Sequence, residues 1–124
     1  MEPNRALAEA FFDANVRHDL DAVASMLHPD FVMEWPQSGE RFTGRENAVA
    51  AMRAQQMVPE VVTPPRIVGA GDVWVGMMPL RYGADIYQYA AVIELGGGLI
   101  RRGTGYFGAP FPPQPYRAAF ADPA

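Results

Sequence analysis

Residues 73–107 read VWVGMMPLRYGADIYQYAAVIELGGGLIRRGTGYF. Three runs rich in β-branched and aromatic residues, Val73 to Tyr82, Ile86 to Leu95 and Leu99 to Phe107, are parted by Gly83-Ala84-Asp85 and Gly96-Gly97-Gly98. Connections this short fit hairpins, whereas a parallel crossover needs about a dozen residues or more, so the runs predict an antiparallel meander. Upstream, Val61 to Val68 ends at Gly69-Ala70-Gly71-Asp72 and adds a fourth strand.

The N-terminal half follows another period. From Asn4 to His18, Leu7, Phe11 and Ala14 form one apolar stripe with Ala8, Phe12 and Val16 beside it, the spacing of an amphipathic helix. Asp19 offers a capping oxygen to a second, shorter helix carrying Leu20, Val23, Ala24 and Leu27, which stops at His28-Pro29. Phe31 to Trp35 alternates as a strand that Pro36 ends, and Arg41-Phe42 is a scrap of edge strand. Thr43 and Glu46 fit a capping box, predicting a third helix to about Met57. The tail, with Pro110, Pro112, Pro113 and Pro115, is expected to be extended. Helix, helix, strand, helix and meander make one α+β domain over 1–124: three helices on a curved, mainly antiparallel sheet rolled into a cone-shaped barrel.

Composition narrows the function. The chain of 124 residues has no cysteine, so disulfides, thiol nucleophiles and zinc-thiolate sites are excluded. Its charge of −4 offers no field for a phosphate backbone, and nucleic acid is not an expected partner. Every basic residue is Arg, which removes lysine chemistry and hints at a GC-rich bacterial source. The longest nearly apolar run, Val73 to Leu80, falls far short of the roughly 20 residues a membrane span needs. The opening Met-Glu-Pro-Asn-Arg lacks the apolar core of a secretion signal, so the expected location is the cytoplasm, without membrane association. His18 and His28 stand apart in corner positions, so neither a metal nor any other cofactor is expected.

Four carboxylates sit where proton transfer could use them: Glu34 and Glu94 within strands, Asp72 and Asp85 after glycine turns, where turn formation and solvated strand faces are the ordinary explanations. Tyr87 and Tyr89 share a strand face beside Tyr82, either as hydrogen-bond donors to a substrate oxygen or as pocket wall. Arg81 could clamp an anion or pair with Asp85. Trp35, Trp74, Met33, Met52, Met57, Met77 and Met78 supply an adaptable apolar lining or a filled core. Alternation puts Arg101, Gly103, Gly105 and Phe107 on the inner face, where the glycines either open the cavity floor or bend the sheet; Val92, Arg102, Thr104 and Tyr106 face outward.

The order of elements, residues 16–31 (VRHDLDAVASMLHPDF), and Gly98-Leu99-Ile100-Arg101-Arg102 followed by Tyr106-Phe107 resemble the nuclear transport factor 2-like superfamily. Glu34 to Glu40 (EWPQSGE), Thr43 to Glu46 (TGRE) and the closing Ala109-Pro110-Phe111 and Tyr116-Arg117-Ala118 look like its SnoaL-like branch. The resemblance implies a cone with an internal pocket, a C-terminal strap over residues 109–124 that buries Phe111 and Tyr116, a homodimer through the outer sheet face, and isomerase, cyclase, dehydratase or epoxide hydrolase chemistry, or ligand binding alone. Positions that carry acids or a Tyr in ketosteroid isomerases fall at Phe11, Trp35 and about Ala91. Those of limonene epoxide hydrolases fall near Arg81, Gly83 and Gly105, and only the Arg is kept. The expected function is cofactor-independent acid–base chemistry on an apolar, ring-containing or polyketide-like molecule, with non-catalytic binding of a small apolar molecule as the alternative. The expected site has Asp85, Tyr87 and Glu34 as proton-transfer groups, walled by Phe11, Met33, Trp35, Met52, Trp74, Arg81, Tyr89, Gly103, Gly105 and Phe107.

Overall fold

A computed structural model describes residues 2–122 of the chain. Helices α1 (Pro3–Val16) and α2 (Leu20–Met26) lead into strand β1 (Leu27–Trp35), followed by β2 (Glu40–Thr43) and α3 (Arg45–Arg53). Then come β3 (Glu60–Val61), β4 (Arg66–Ala70), β5 (Val73–Tyr82), β6 (Asp85–Gly96) and β7 (Leu99–Gly108), with a single turn of 3-10 helix at Pro115–Arg117. Among the described residues, no helix is long and apolar enough to cross a membrane.

The α+β plan with three helices on a curved, mainly antiparallel sheet holds. The sheet order is β2-β1-β7-β6-β5-β3, with β4 also on β5. The meander is antiparallel throughout, but β1 joins β7 in parallel, a pairing that no local signal announces. The expected strand from Val61 to Val68 is cut by Pro64 and Pro65, because proline cannot donate to the ladder, leaving β3 and β4 as separate pieces on β5. The edges β2 and β3 do not pair with each other, so the cone is open along that side.

Capping went one way as expected and once otherwise. Asp19 accepts the Ala22 N–H at 3.1 Å and starts α2. Thr43 does not cap α3. It belongs to the β2 ladder opposite Val32, and Gly44 takes the cap with φ 91°, a backbone angle that suits glycine. That helix ends at Arg53, short of Met57.

The core lies between the inner sheet face and the helices. Phe12, 1% exposed, sits on Gly76 of β5, where an added Cβ would stand 2.5 Å from the Phe12 ring. Trp74 is completely buried under Arg5, whose guanidinium lies 4.8 Å from the ring centroid, while its Nε1–H donates to Gly71 O at 2.9 Å. The C-terminal segment does not strap over this chain. Phe111, Tyr116 and Phe120 are 78%, 75% and 89% exposed, and the last two residues of the expected strap lie outside the described part.

Candidate functional site

The space between sheet and helices is not filled. A cavity of about 680 Å³ runs into the cone, within the range of small-molecule pockets. Its inner wall is Phe31, Met33 and Trp35 of β1, Met78 and Leu80 of β5, Tyr89, Ala91 and Ile93 of β6, and Gly103, Gly105 and Phe107 of β7. These are the inward positions of period-2 strands. Phe11 and Asn15 of α1 and Met52 of α3 close it from above, and Glu40, Phe42, Gln55, Met57, Val58 and Val61 stand along the open edge.

Of the expected wall, Phe11, Met33, Trp35, Met52, Tyr89, Gly103, Gly105 and Phe107 are brought together there. Trp74 is not, because it plugs the packing between β4 and α1. Arg81 pairs with Glu60 directly across the ladder at 3.4 Å rather than with Asp85, and does not reach the cavity. Asp85 is exposed at the tip of the β5–β6 hairpin. Tyr87 stacks edge-on against Tyr82 at 5.2 Å outside the lining, although Tyr82 itself lies in it. Glu34 points to the outer face, where it meets Arg41 at 3.7 Å and also Arg102. Glu94 lies on that same face, 3.8 Å from Arg102, and Asp72 accepts from Asn4 at 3.3 Å. None of the four singled-out carboxylates lines the cavity.

A bulge explains the misplaced Arg101. Register pairs Glu94 with Arg102 but Leu95 with Ile100, so Arg101 has no partner opposite and swings out, donating to Gly96 O at 3.3 Å. Ile100 takes the inner face. The two inner glycines do not open the floor: rings rest on them. A Cβ at Gly103 would stand 3.2 Å from Phe31 Cζ, and one at Gly105 would stand 3.2 Å from Trp35 Cδ1.

The polar groups in this apolar space are few. Tyr89 is the deepest, its ring against Phe107 at 4.8 Å. Burial, assisted by the nearby Tyr82, pushes its phenol up to about 12, so it stays a neutral donor at physiological pH. Tyr82 is also raised, first by burial and then by Tyr87. Trp35 is held edge-to-face between Phe42 at 5.0 Å and Phe107 at 5.6 Å. Gln37 clips the β1–β2 turn to β7: its Nε2–H donates to Phe107 O at 2.7 Å, and the Phe107 N–H donates back to its Oε1.

Asn15, His18, Glu40 and Gln55 were missed from sequence. Phe11 and Asn15 stand four residues apart on α1, the spacing that could have found Asn15. His18 adopts φ 54° just past the end of α1 and so turns to the lining. Among the described residues no group of three metal-ligating side chains gathers.

A family model for SnoaL-like domains matches residues 8–103. The chain belongs to the SnoaL-like domain family. Solved structures place this SnoaL-like domain in the nuclear transport factor 2-like superfamily. An NTF-2 like protein of unknown function from Burkholderia xenovorans is 27% identical, with a TM-score of 0.85 over 98% of this chain and 95% of that one. A candidate ketosteroid isomerase from Kribbella flavida is 24% identical, with a TM-score of 0.88 over 98% and 90%. An LEH-like epoxide hydrolase from M. tuberculosis is 24% identical, with a TM-score of 0.66 over 85% and 82%. The last two show the fold alone. No curated protein gives a significant sequence match to this SnoaL-like domain.

Proposed function

We propose that this SnoaL-like domain takes one apolar, ring-containing small molecule into the cone. The observation that carries the reading is the cavity of about 680 Å³ with aromatic, methionine and aliphatic walls. Such a surface gains free energy by releasing water, at roughly 25 cal/mol per Å² of apolar area covered. Isothermal titration with a panel of uncharged bicyclic and tricyclic compounds is expected to give saturable one-to-one binding with negative ΔCp. No saturation by any member of the panel would sink the reading.

A second reading keeps cofactor-independent turnover of isomerase, cyclase or dehydratase type. It is supported by superfamily neighbours that include isomerase, cyclase and hydrolase folds, and by Glu40 and His18, acid–base side chains on the lining. Exchange of the α-hydrogens of a bound ketone with deuterated water, lost in Glu40→Gln, is the expected sign. Binding without exchange leaves the protein a binder.

We further propose that two copies pair through the outer sheet face. Val68, Val73 and Tyr106 are 40%, 47% and 43% exposed there, apolar side chains on the face that also carries the Glu34–Arg102–Glu94 ion cluster. A monomer by sedimentation at micromolar concentration contradicts this.

A further inference from the structure

The chain leaves the sheet at Gly108, which pairs with Gln88 in the β6–β7 ladder, and its exit is pinned one residue earlier by the Gln37 clip on Phe107. Beyond that point it touches little of its own domain. The hydrogen bonds of residues 109–122, among the described residues, stay within the segment: the N–H groups of Arg117, Ala118 and Phe120 donate to Gln114 O, Pro115 O and Arg117 O, and the Arg117 guanidinium donates to the Tyr116 hydroxyl at 2.7 Å. Pro110, Pro112, Pro113 and Pro115 each fix φ near −65° and keep the segment projecting from the sheet. It nevertheless carries three aromatic side chains, Phe111, Tyr116 and Phe120, all turned to solvent. Large apolar groups gathered on a segment that buries none of them mark a contact surface.

A receiving surface exists on the same molecule. On the outer face of the meander, strand register sets Val68, Val75 and Val92 in one row across β4, β5 and β6, and Met77, Ala90 and Tyr106 in the next row across β5, β6 and β7. None of the six is fully buried, whereas the inward neighbours Trp74, Ala91 and Ile93 are. The helix α1 lies on the opposite side of the sheet, where Phe12 meets Gly76.

We propose that the tail of each copy lies across the outer sheet face of a second copy, with Phe111, Tyr116 and Phe120 seated on these two rows. The proposal rests on the pairing of two copies through that face, and deepens it by naming the segment each copy lends the other. Reach allows it. From Gly108 to Phe120 an extended, partly 3-10 chain covers about 30 Å, whereas the four strands from β4 to β7 span about 15 Å. Area allows it too. Three aromatic side chains of about 150–250 Å² each give about 500 Å² of apolar surface per tail. Two tails related by a two-fold axis, with the surfaces they cover, come to about 2,000 Å², the size of a stable interface. Charge favours a protein surface over a lipid one, since residues 109–122 hold a single Arg and a single Asp and lack the basic cluster that anionic membranes attract.

The test compares the full chain with a full-length variant carrying Phe111→Ser, Tyr116→Ser and Phe120→Ser. All three side chains face solvent in the single chain, so the variant should fold, and far-UV circular dichroism checks this. Sedimentation equilibrium is expected to show a dimer for the wild type and a dissociation constant weakened about 100-fold or more for the variant. In a second arm, Phe120 is replaced by the photo-crosslinker p-benzoylphenylalanine, and ¹⁴N and ¹⁵N chains are refolded together. Irradiation should give cross-linked peptides of mixed isotope that map to residues 66–77 or 90–106. A variant that pairs as tightly as the wild type overturns the tail contact and leaves the sheet-face pairing standing. Cross-links confined to one chain, absent, or mapping off the outer sheet face overturn it as well, and decide the matter should the serine variant not fold. A wild type that sediments as a monomer at micromolar concentration takes the pairing and the tail contact down together.

Discussion

Replacing Tyr89 by Phe removes one hydroxyl from the cavity floor, and the consequence is calculable from pH alone. An unfolded chain releases a tyrosine proton near 10, whereas the folded protein holds the Tyr89 proton until about 12, because burial opposes the phenolate. Between those values the folded state binds more protons than the unfolded one, so stability falls as pH rises, by at most about 1.4 kcal/mol per unit for this group. The contribution is whole below pH 10 and is lost through pH 12, about 3 kcal/mol across the two-unit shift. Tyr89→Phe has no such proton to keep. Absorbance at 295 nm, followed with far-UV circular dichroism to confirm folding, should show one of the five tyrosines titrating last in the wild type and missing from the variant. Urea unfolding at pH 9, 10 and 11 should fall more steeply for the wild type than for the variant. If the amplitude removed by the substitution titrates near pH 10, the hydroxyl is solvated as in bulk water, and the argument from an apolar floor fails.

Gly76→Ala should destabilise the fold by about 1–3 kcal/mol in urea unfolding, since its methyl would lie 2.5 Å from the Phe12 ring and force α1 off the sheet. A neutral result would mean that α1 repacks freely. Gln37→Ala removes two hydrogen bonds to the Phe107 backbone and should cost about 1–2 kcal/mol, with faster amide hydrogen exchange at Phe107 as the local readout.

The sequence spoke clearly where structure is set by neighbours along the chain. The apolar stripe of α1, the Asp19 cap and the glycine-turned hairpins follow from side-chain period and backbone freedom over a few residues. What it concealed was decided at a distance. The parallel seam of β1 against β7 joins segments far apart in the chain, and the bulge that ejects Arg101 comes from matching that seam to the β6 ladder. Thr43 looks like a helix cap until the β2 ladder claims it. The pocket wall was legible because inward strand positions repeat every second residue once one is placed. The proposed proton-transfer groups were not, since a carboxylate's use depends on which face its strand turns inward, and Glu34 sits one residue off the cavity face that Met33 and Trp35 occupy.

The Pro64–Pro65 break and the unpaired edges have a consequence for how such a domain can change. The floor of the cavity is made by strands inside the sheet, where a shift of an ångström would disturb several ladders. Met57, Val58 and Pro59 lie on a connection outside the central ladders, and the first two are 58% and 52% exposed at the rim. Chain can be lengthened, shortened or recomposed there at little cost to folding. The rim and the floor of the cavity thus belong to separate parts of the molecule, so the opening can be reshaped by selection or by a protein engineer while the floor is left untouched.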